Sequence, residues 1–231
     1  MTDTRTTAGR ESAPTPKPIS RRRLVVLGGM CGAALAVGGG YVAAEWGPEV
    51  EPGDLVRTTM GDGMSKVLVV YGTTTGCTAG VAEQIGATFA ELGATVDVVP
   101  AAEAPSPDGY DAVAVGSGIR AAQWHAPVKE WVTANAAALK GMPTAFFTAC
   151  LTMASEPEKA DEVRAYTDPI VEESGVQPVD IGLFAGMNEP KTFSLPERLI
   201  LKVMKAPEGD FRDHEAIAGW ARGVAGKLGV S

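Results

Sequence analysis

Beyond Lys66, short apolar runs alternate with longer stretches in which apolar residues recur every three to four positions, a pattern that predicts a parallel sheet covered by helices on both faces. The short runs place strands near 66–71, 95–99, 112–116, 144–149 and 179–184, and the longer stretches place helices over about 78–92, 126–139, 156–174 and 214–228. In the first helix Val81, Ile85, Phe89 and Leu92 recur at helical spacing and are expected to face the sheet. Asp213 is placed to cap the last helix just before His214, to which no chemistry is assigned. The expected class is therefore α/β, a five-stranded doubly wound sheet in a three-layer α/β/α arrangement.

The pattern changes before Lys66. Residues 1–19 are polar and rich in Thr and Pro, which predicts a disordered tail. Ser20 and Arg21–Arg23 then precede a charge-free apolar stretch, Leu24–Ala44, close to the roughly 20 residues needed to cross a bilayer and too glycine-rich for a good soluble helix. Ser20–Leu24 resembles the start of a twin-arginine export signal, with Val42–Ala44 as a small-residue cleavage site; alternatively the stretch stays in place as an anchor, its arginines held inside. Both readings put the main domain outside the cytoplasm, the remaining alternative being the cytoplasmic face of the membrane. Pro48, Pro52 and several Gly and acidic residues make 45–65 a tether, leaving 66–231 as the domain.

With 231 residues and 45% apolar composition the chain has ample material for a core. From Glu45 onward, 14 Lys or Arg against 26 Asp or Glu give a net charge of −12. Such a surface repels nucleic acid and favours basic partners. Cys31, Cys77 and Cys150 have neither metal-site spacing nor the density of a disulfide scaffold, so no metal is expected; Cys77 and Cys150, both at carboxyl ends of strands, are read as unpaired small residues rather than a redox pair.

The most informative segment is Thr73, Thr74, Thr75, Gly76, Cys77 and Thr78, directly after the first strand. A sharp strand-to-helix turn leaves backbone N–H groups unpaired at the helix start, and hydroxyls beside them can donate to phosphate oxygens. The missing lysine argues against a triphosphate loop, and the glycine spacing against the dinucleotide fingerprint. A phosphate monoester site remains, against the plainer reading of a Thr-rich turn that caps a helix.

Thr73–Thr78 fit T/S-x-T-G-x-T, the flavin mononucleotide (FMN) phosphate loop of flavodoxins, and the chain resembles that family over roughly Lys66–Leu228. The resemblance implies FMN as cofactor, strand order 2-1-3-4-5, and a ligand at the carboxyl ends beside the first and third strands. It makes Gly116, Ser117, Gly118, Ile119 and Arg120 one border of the flavin ring, with Trp124 stacking on it, and the loop Thr148, Ala149, Cys150, Leu151 and Thr152 the other border. Arg120 and His125 are the candidates for charge stabilisation and proton delivery. The plainer readings are a solvated Arg120, a Trp124 packed on the following helix, and a His125 that serves the helix start.

Several segments are similar to the menaquinone-dependent protoporphyrinogen oxidase branch of the flavodoxins. Gly116–Arg120 with His125 is similar to its G-x-S-I-R loop, with Gly118 in the serine place; Met142–Phe146, Phe184–Gly186 and Gly209–Asp213 carry the rest. This implies an FMN-dependent oxidoreductase that uses a quinone or a redox-protein partner near a membrane. The alternatives are a passive electron carrier and a flavin-free binding module. Because haem precursors are oxidised in the cytoplasm, an outward-facing domain departs from that branch, and its substrate is not carried over. A long segment before the last helix contains a plausible capping box, Ser194 with Glu197, an apolar face of Leu199, Ile200, Val203 and Met204, and a basic face of Arg198, Lys202 and Lys205. That helix either rests on anionic headgroups, receives a quinone or anionic porphyrin, or packs its apolar face on its own domain.

Overall fold

The computed structural model describes residues 57–230, apart from 194 and 204 and the side chains of Pro196 and Glu197. The tail, the export-signal or anchor segment, residues 45–56 of the tether and the Ser194–Glu197 capping box lie outside the described residues.

Five parallel strands form the centre: β2 (Ser65–Gly72), β3 (Ala94–Pro100), β4 (Ala112–Arg120), β6 (Thr144–Cys150) and β7 (Ile181–Ala185), with neighbours in the order β3-β2-β4-β6-β7. In order of appearance this is 2-1-3-4-5, as the resemblance implied. Two short antiparallel strands extend the sheet to seven: β1 (Thr58–Met60) on β3, and β5 (Gln123–Trp124) on β4. The first lies inside the stretch expected to be a tether. Its local composition is that of a linker, but the free edge of β3 supplies partners for its backbone, and composition cannot show that.

Val67–Tyr71 are buried throughout, because helices cover both faces of the sheet and a central strand has no solvent side. One face packs on α1 (Cys77–Glu91) and α8 (His214–Leu228), the other on α2 (Ala126–Ala134), α3 (Ala136–Leu139) and α6 (Asp168–Ser174). Val81, Ile85 and Phe89 face the sheet as expected; Leu92 does not, because α1 ends at Glu91 and Gly93, at φ +95°, turns the chain into β3. Asp213 caps α8, its Oδ1 accepting from the Ala216 N–H at 2.9 Å.

Two expected helices are broken. The 126–139 helix divides at Asn135, whose side-chain amide donates to the Trp131 carbonyl at 2.9 Å. The 156–174 stretch, preceded by a separate turn of helix, α4 (Thr152–Ser155), divides into a 3₁₀ turn, α5 (Ala160–Ala165) and α6. Thr167 Oγ1 donates to the Arg164 carbonyl at 2.6 Å and Pro169 lacks the N–H that would continue α5. Between β7 and α8 the chain forms a two-stranded stem, β8 (Met187–Asn188) with β9 (Gly209–Asp210), that carries α7 (Leu195–Val203). Among the described residues no helix is long and apolar enough to cross a membrane.

Candidate functional site

Strand register gathers the expected site at one end of the sheet. Gly72 pairs with Ser117, Ser117 with Thr148, Gly118 with Ala149, and Cys150 with Ala185, so the loops after β2, β4 and β6 leave the sheet side by side. A cavity of about 310 Å³ lined by Lys66, Thr95, Asp97, Asp108, Gly109 and Tyr110 opens among the first residues of β2 and β3, at the opposite end.

The Thr73–Thr78 loop has the features of an anion cradle. Gly76 sits at φ +82° as the residue before α1, a conformation that glycine adopts without the Cβ penalty, and no side chain caps the helix there. No acidic residue occupies the first turn, so its positive end is unopposed. Thr73 and Thr78 are buried, and Thr78 Oγ1 has no hydrogen-bond partner among the described residues. A sealed, partnerless hydroxyl costs free energy unless something else meets it. Across from it, a Cβ on Gly118 would lie 2.9 Å from Thr78 Oγ1, so the serine of the resembling loop is absent where Thr78 needs the room.

The β4 loop is held rigidly. Ser117 Oγ donates to the Gly118 carbonyl at 2.8 Å and accepts from the His125 N–H at 2.7 Å. Ile119 pairs with Trp124 and Arg120 with Gln123 across a two-residue turn, Ala121 and Ala122, both at positive φ. Gly118, Ile119 and Arg120 are half-buried at the carboxyl end of β4. Thr148 adds a second buried Oγ1 with no partner among the described residues, beside Ser117 on the neighbouring strand.

The stem β8–β9 grips the start of α1. Arg212 Nη1 donates to the Cys77 carbonyl at 3.4 Å, and its guanidinium fills the space beside Gly80 where a Cβ would lie 2.1 Å away. Asp210 fixes that guanidinium through Nη2 at 2.6 Å and Nε at 2.9 Å, and Arg212 in turn holds the Asp210 carboxyl below its ordinary pKa. Burial pushes the Cys77 thiol up to about 11, although Arg212 and the Met187 N–H pull it down. Cys77 is therefore a neutral thiol at physiological pH, without thiolate chemistry. Cys77 and Cys150 are both buried, with no disulfide between them.

The flavodoxin domain family model matches residues 68–215. The chain belongs to the flavodoxin domain family. This flavodoxin domain is 27% identical to protoporphyrinogen IX dehydrogenase [quinone] of Escherichia coli K12 over 171 residues, covering 69% of the chain and 94% of that protein. It is 28% identical to the protein of the same name from Leishmania major over 149 residues, covering 63% of the chain and 64% of that protein. Among solved structures, the two-electron reduced flavodoxin of Megasphaera elsdenii aligns with TM-score 0.41 and 22% identity over 66% of this chain and 98% of that one.

Within this flavodoxin domain, two expected ring contacts are placed elsewhere. The Trp124 side chain is in the core, edge-on to Phe146 with centroids 5.3 Å apart, because β5 folds it back under α2; it is not on a cleft wall. The space above Gly116 is taken by the Phe147 ring, which a Cβ would meet at 2.0 Å, so this glycine serves packing and does not let a ligand approach. His125 opens α2 with its backbone and lays its ring over Gly72, where a Cβ would lie 3.0 Å from Nδ1. Ala149 and Cys150 are buried and Leu151 is half-buried just past the end of β6. Arg212 was not singled out from sequence as a site residue; its role arises from a contact between residues 135 positions apart.

Proposed function

We propose that this flavodoxin domain is an FMN-dependent oxidoreductase that passes electrons from a small reduced donor to a quinone-like acceptor at or near a membrane. The observation that carries this reading is the partnerless buried hydroxyl of Thr78 at the acid-free start of α1. That arrangement fits a phosphate monoester. Thr73, Thr74, Thr75 and Thr78, with the N–H groups from Gly76 onward, would hold the phosphate. Gly118, Ile119 and Arg120 on one side and Ala149, Cys150 and Leu151 on the other would border the ring. Bound FMN supplies reversible electron transfer; the protein supplies position and field.

Ser117 keeps the Gly118 carbonyl turned by its own hydrogen bond, which fixes the loop before any ligand arrives. Arg120 at the carboxyl end of β4 favours negative charge nearby. The similarity to quinone-dependent protoporphyrinogen dehydrogenases supports a quinone-like acceptor, and the apolar stretch Leu24–Ala44 supports a membrane-proximal position, by export or as an anchor. The visible spectrum of the purified full chain tests the cofactor. Flavin bands at stoichiometric level that disappear on Thr78→Val support the reading; a colourless protein that takes up no added FMN sinks it. Reduction of a soluble quinone analogue at the expense of a porphyrinogen then separates an enzyme from a passive carrier.

A further inference from the structure

The helix α7 carries its apolar stripe on the side turned away from the domain. At 100° per residue Leu195, Leu199 and Val203 form one line, and Leu201 lies nearly opposite. Leu201 is buried against the body, whereas Leu195, Leu199 and Val203 are 78%, 63% and 74% exposed, and Ile200 is 37% exposed. The expectation that this helix packs its apolar face on its own domain is therefore not met by its described side chains, of which Leu201 alone is buried.

Charge around the stripe is opposite in sign to the rest of the domain. Residues 189–205 hold Lys191, Arg198, Lys202 and Lys205 against Glu189 and Glu197, a net +2, with Lys191 paired to Glu189 at 2.7 Å. The remaining chain from Glu45 onward, 10 basic and 24 acidic residues, carries −14. Lys202 and Lys205 are exposed, and Arg198 is turned back onto the carbonyls of Phe193 and Lys191, at 2.8 and 3.2 Å, where it stiffens the approach to the helix. The stem below it is tied by Asn188, whose side-chain amide donates to the Pro207 carbonyl at 2.9 Å.

We infer that α7 is a docking helix for an anionic phospholipid surface, inserting Leu195, Leu199 and Val203 among the acyl chains while the lysines meet headgroups. A nine-residue helix is about 14 Å long, and its four exposed apolar side chains cover far less than the roughly 800 Å² per partner of a stable protein interface. A shallow apolar ridge with flanking lysines suits reversible insertion at the headgroup boundary. The inference does not depend on Leu24–Ala44 or on bound flavin, and it aims the carboxyl end of the sheet, from which the stem rises, at the bilayer.

The test uses the full chain with Cys31→Ala and a nitroxide attached at Leu199→Cys, reconstituted in vesicles of mixed phosphatidylglycerol and phosphatidylcholine. A label at Glu172→Cys, an exposed position on α6, serves as the reference. The expected result is that a water-soluble nickel chelate reaches position 199 at least about fivefold less than position 172. That protection should be lost in vesicles of phosphatidylcholine alone and in the Lys202→Gln, Lys205→Gln variant. Equal accessibility at both positions overturns the inference. Protection before lipid is added means that another part of the chain covers the stripe, dipolar broadening between labels means that a second copy does, and protection that persists in neutral vesicles removes the anionic headgroup; each overturns it. Because depth is read and not turnover, a flavin-free protein fails the proposed function and leaves this result intact.

Discussion

Thr78 and Gly118 opposite it make opposing demands, and substitutions separate them. Removing the Thr78 hydroxyl in the ligand-free protein deletes a buried donor that has nothing to bond, so Thr78→Val should leave thermal stability unchanged or raise it by about 1 kcal/mol. The same change should weaken FMN binding roughly 10- to 100-fold, the worth of one charge-assisted hydrogen bond, as read by flavin fluorescence titration. Gly118→Ser restores the residue type of the resembling loop but puts a Cβ 2.9 Å from Thr78 Oγ1, so it should weaken FMN binding with little loss of fold. Gly116→Ala meets the Phe147 ring instead and should cost about 1–3 kcal/mol in urea unfolding, because a packed core has no room for an added methyl. The Thr73–Thr78 loop was legible in the sequence because its chemistry is consecutive. The reason for Gly118 was not, since it lies in the distance to a residue forty positions earlier.

At the level of elements, the β4–β5 hairpin is built on a pair of alanines at φ +55° and +56°. L-residues other than Gly and Asn resist that conformation, so replacing Ala121 by Asn and Ala122 by Gly should stabilise the hairpin by about 1 kcal/mol, seen as a higher urea midpoint with an unchanged slope. Hydrophobic periodicity located every central strand and the four main helical regions, because period 2, period 3.6 and unbroken apolar runs each reflect how much of an element meets the core. It missed the breaks at Asn135 and Thr167, where a single side-chain hydrogen bond to a carbonyl ends a helix without interrupting the apolar pattern. The resemblance, not the periodicity, placed Trp124 on the flavin, whereas β5 returns that ring to Phe146.

For the molecule as a whole, two carboxylates tie distant parts of the sheet to their surroundings. Burial would raise the pKa of Asp97, yet hydrogen bonds from Thr59 on the edge strand and Tyr110 outweigh it and hold the carboxyl below its ordinary value. Burial likewise opposes, and hydrogen bonds from Lys227 and Trp220 on α8 outweigh, at Asp180 beside β7. A carboxyl depressed in the folded state contributes stability above its unfolded pKa of about 3.9, and that contribution is lost as pH falls through the folded value. The melting temperature should therefore drop between about pH 5 and pH 3, and Asp180→Asn should lower the neutral-pH melting temperature while making the acid slope shallower. The sequence by itself determined the alternation of strands and helices, the net acidic charge and the hydroxyl-rich turn Thr73–Thr78, since each is carried by neighbouring residues or by sums over the chain. Only the tertiary structure decided that Arg212 closes on the start of α1, that Thr58–Met60 joins the sheet, and that the apolar stripe of α7 points outward. Those outcomes depend on which surfaces other segments have already covered, and local pattern does not record that.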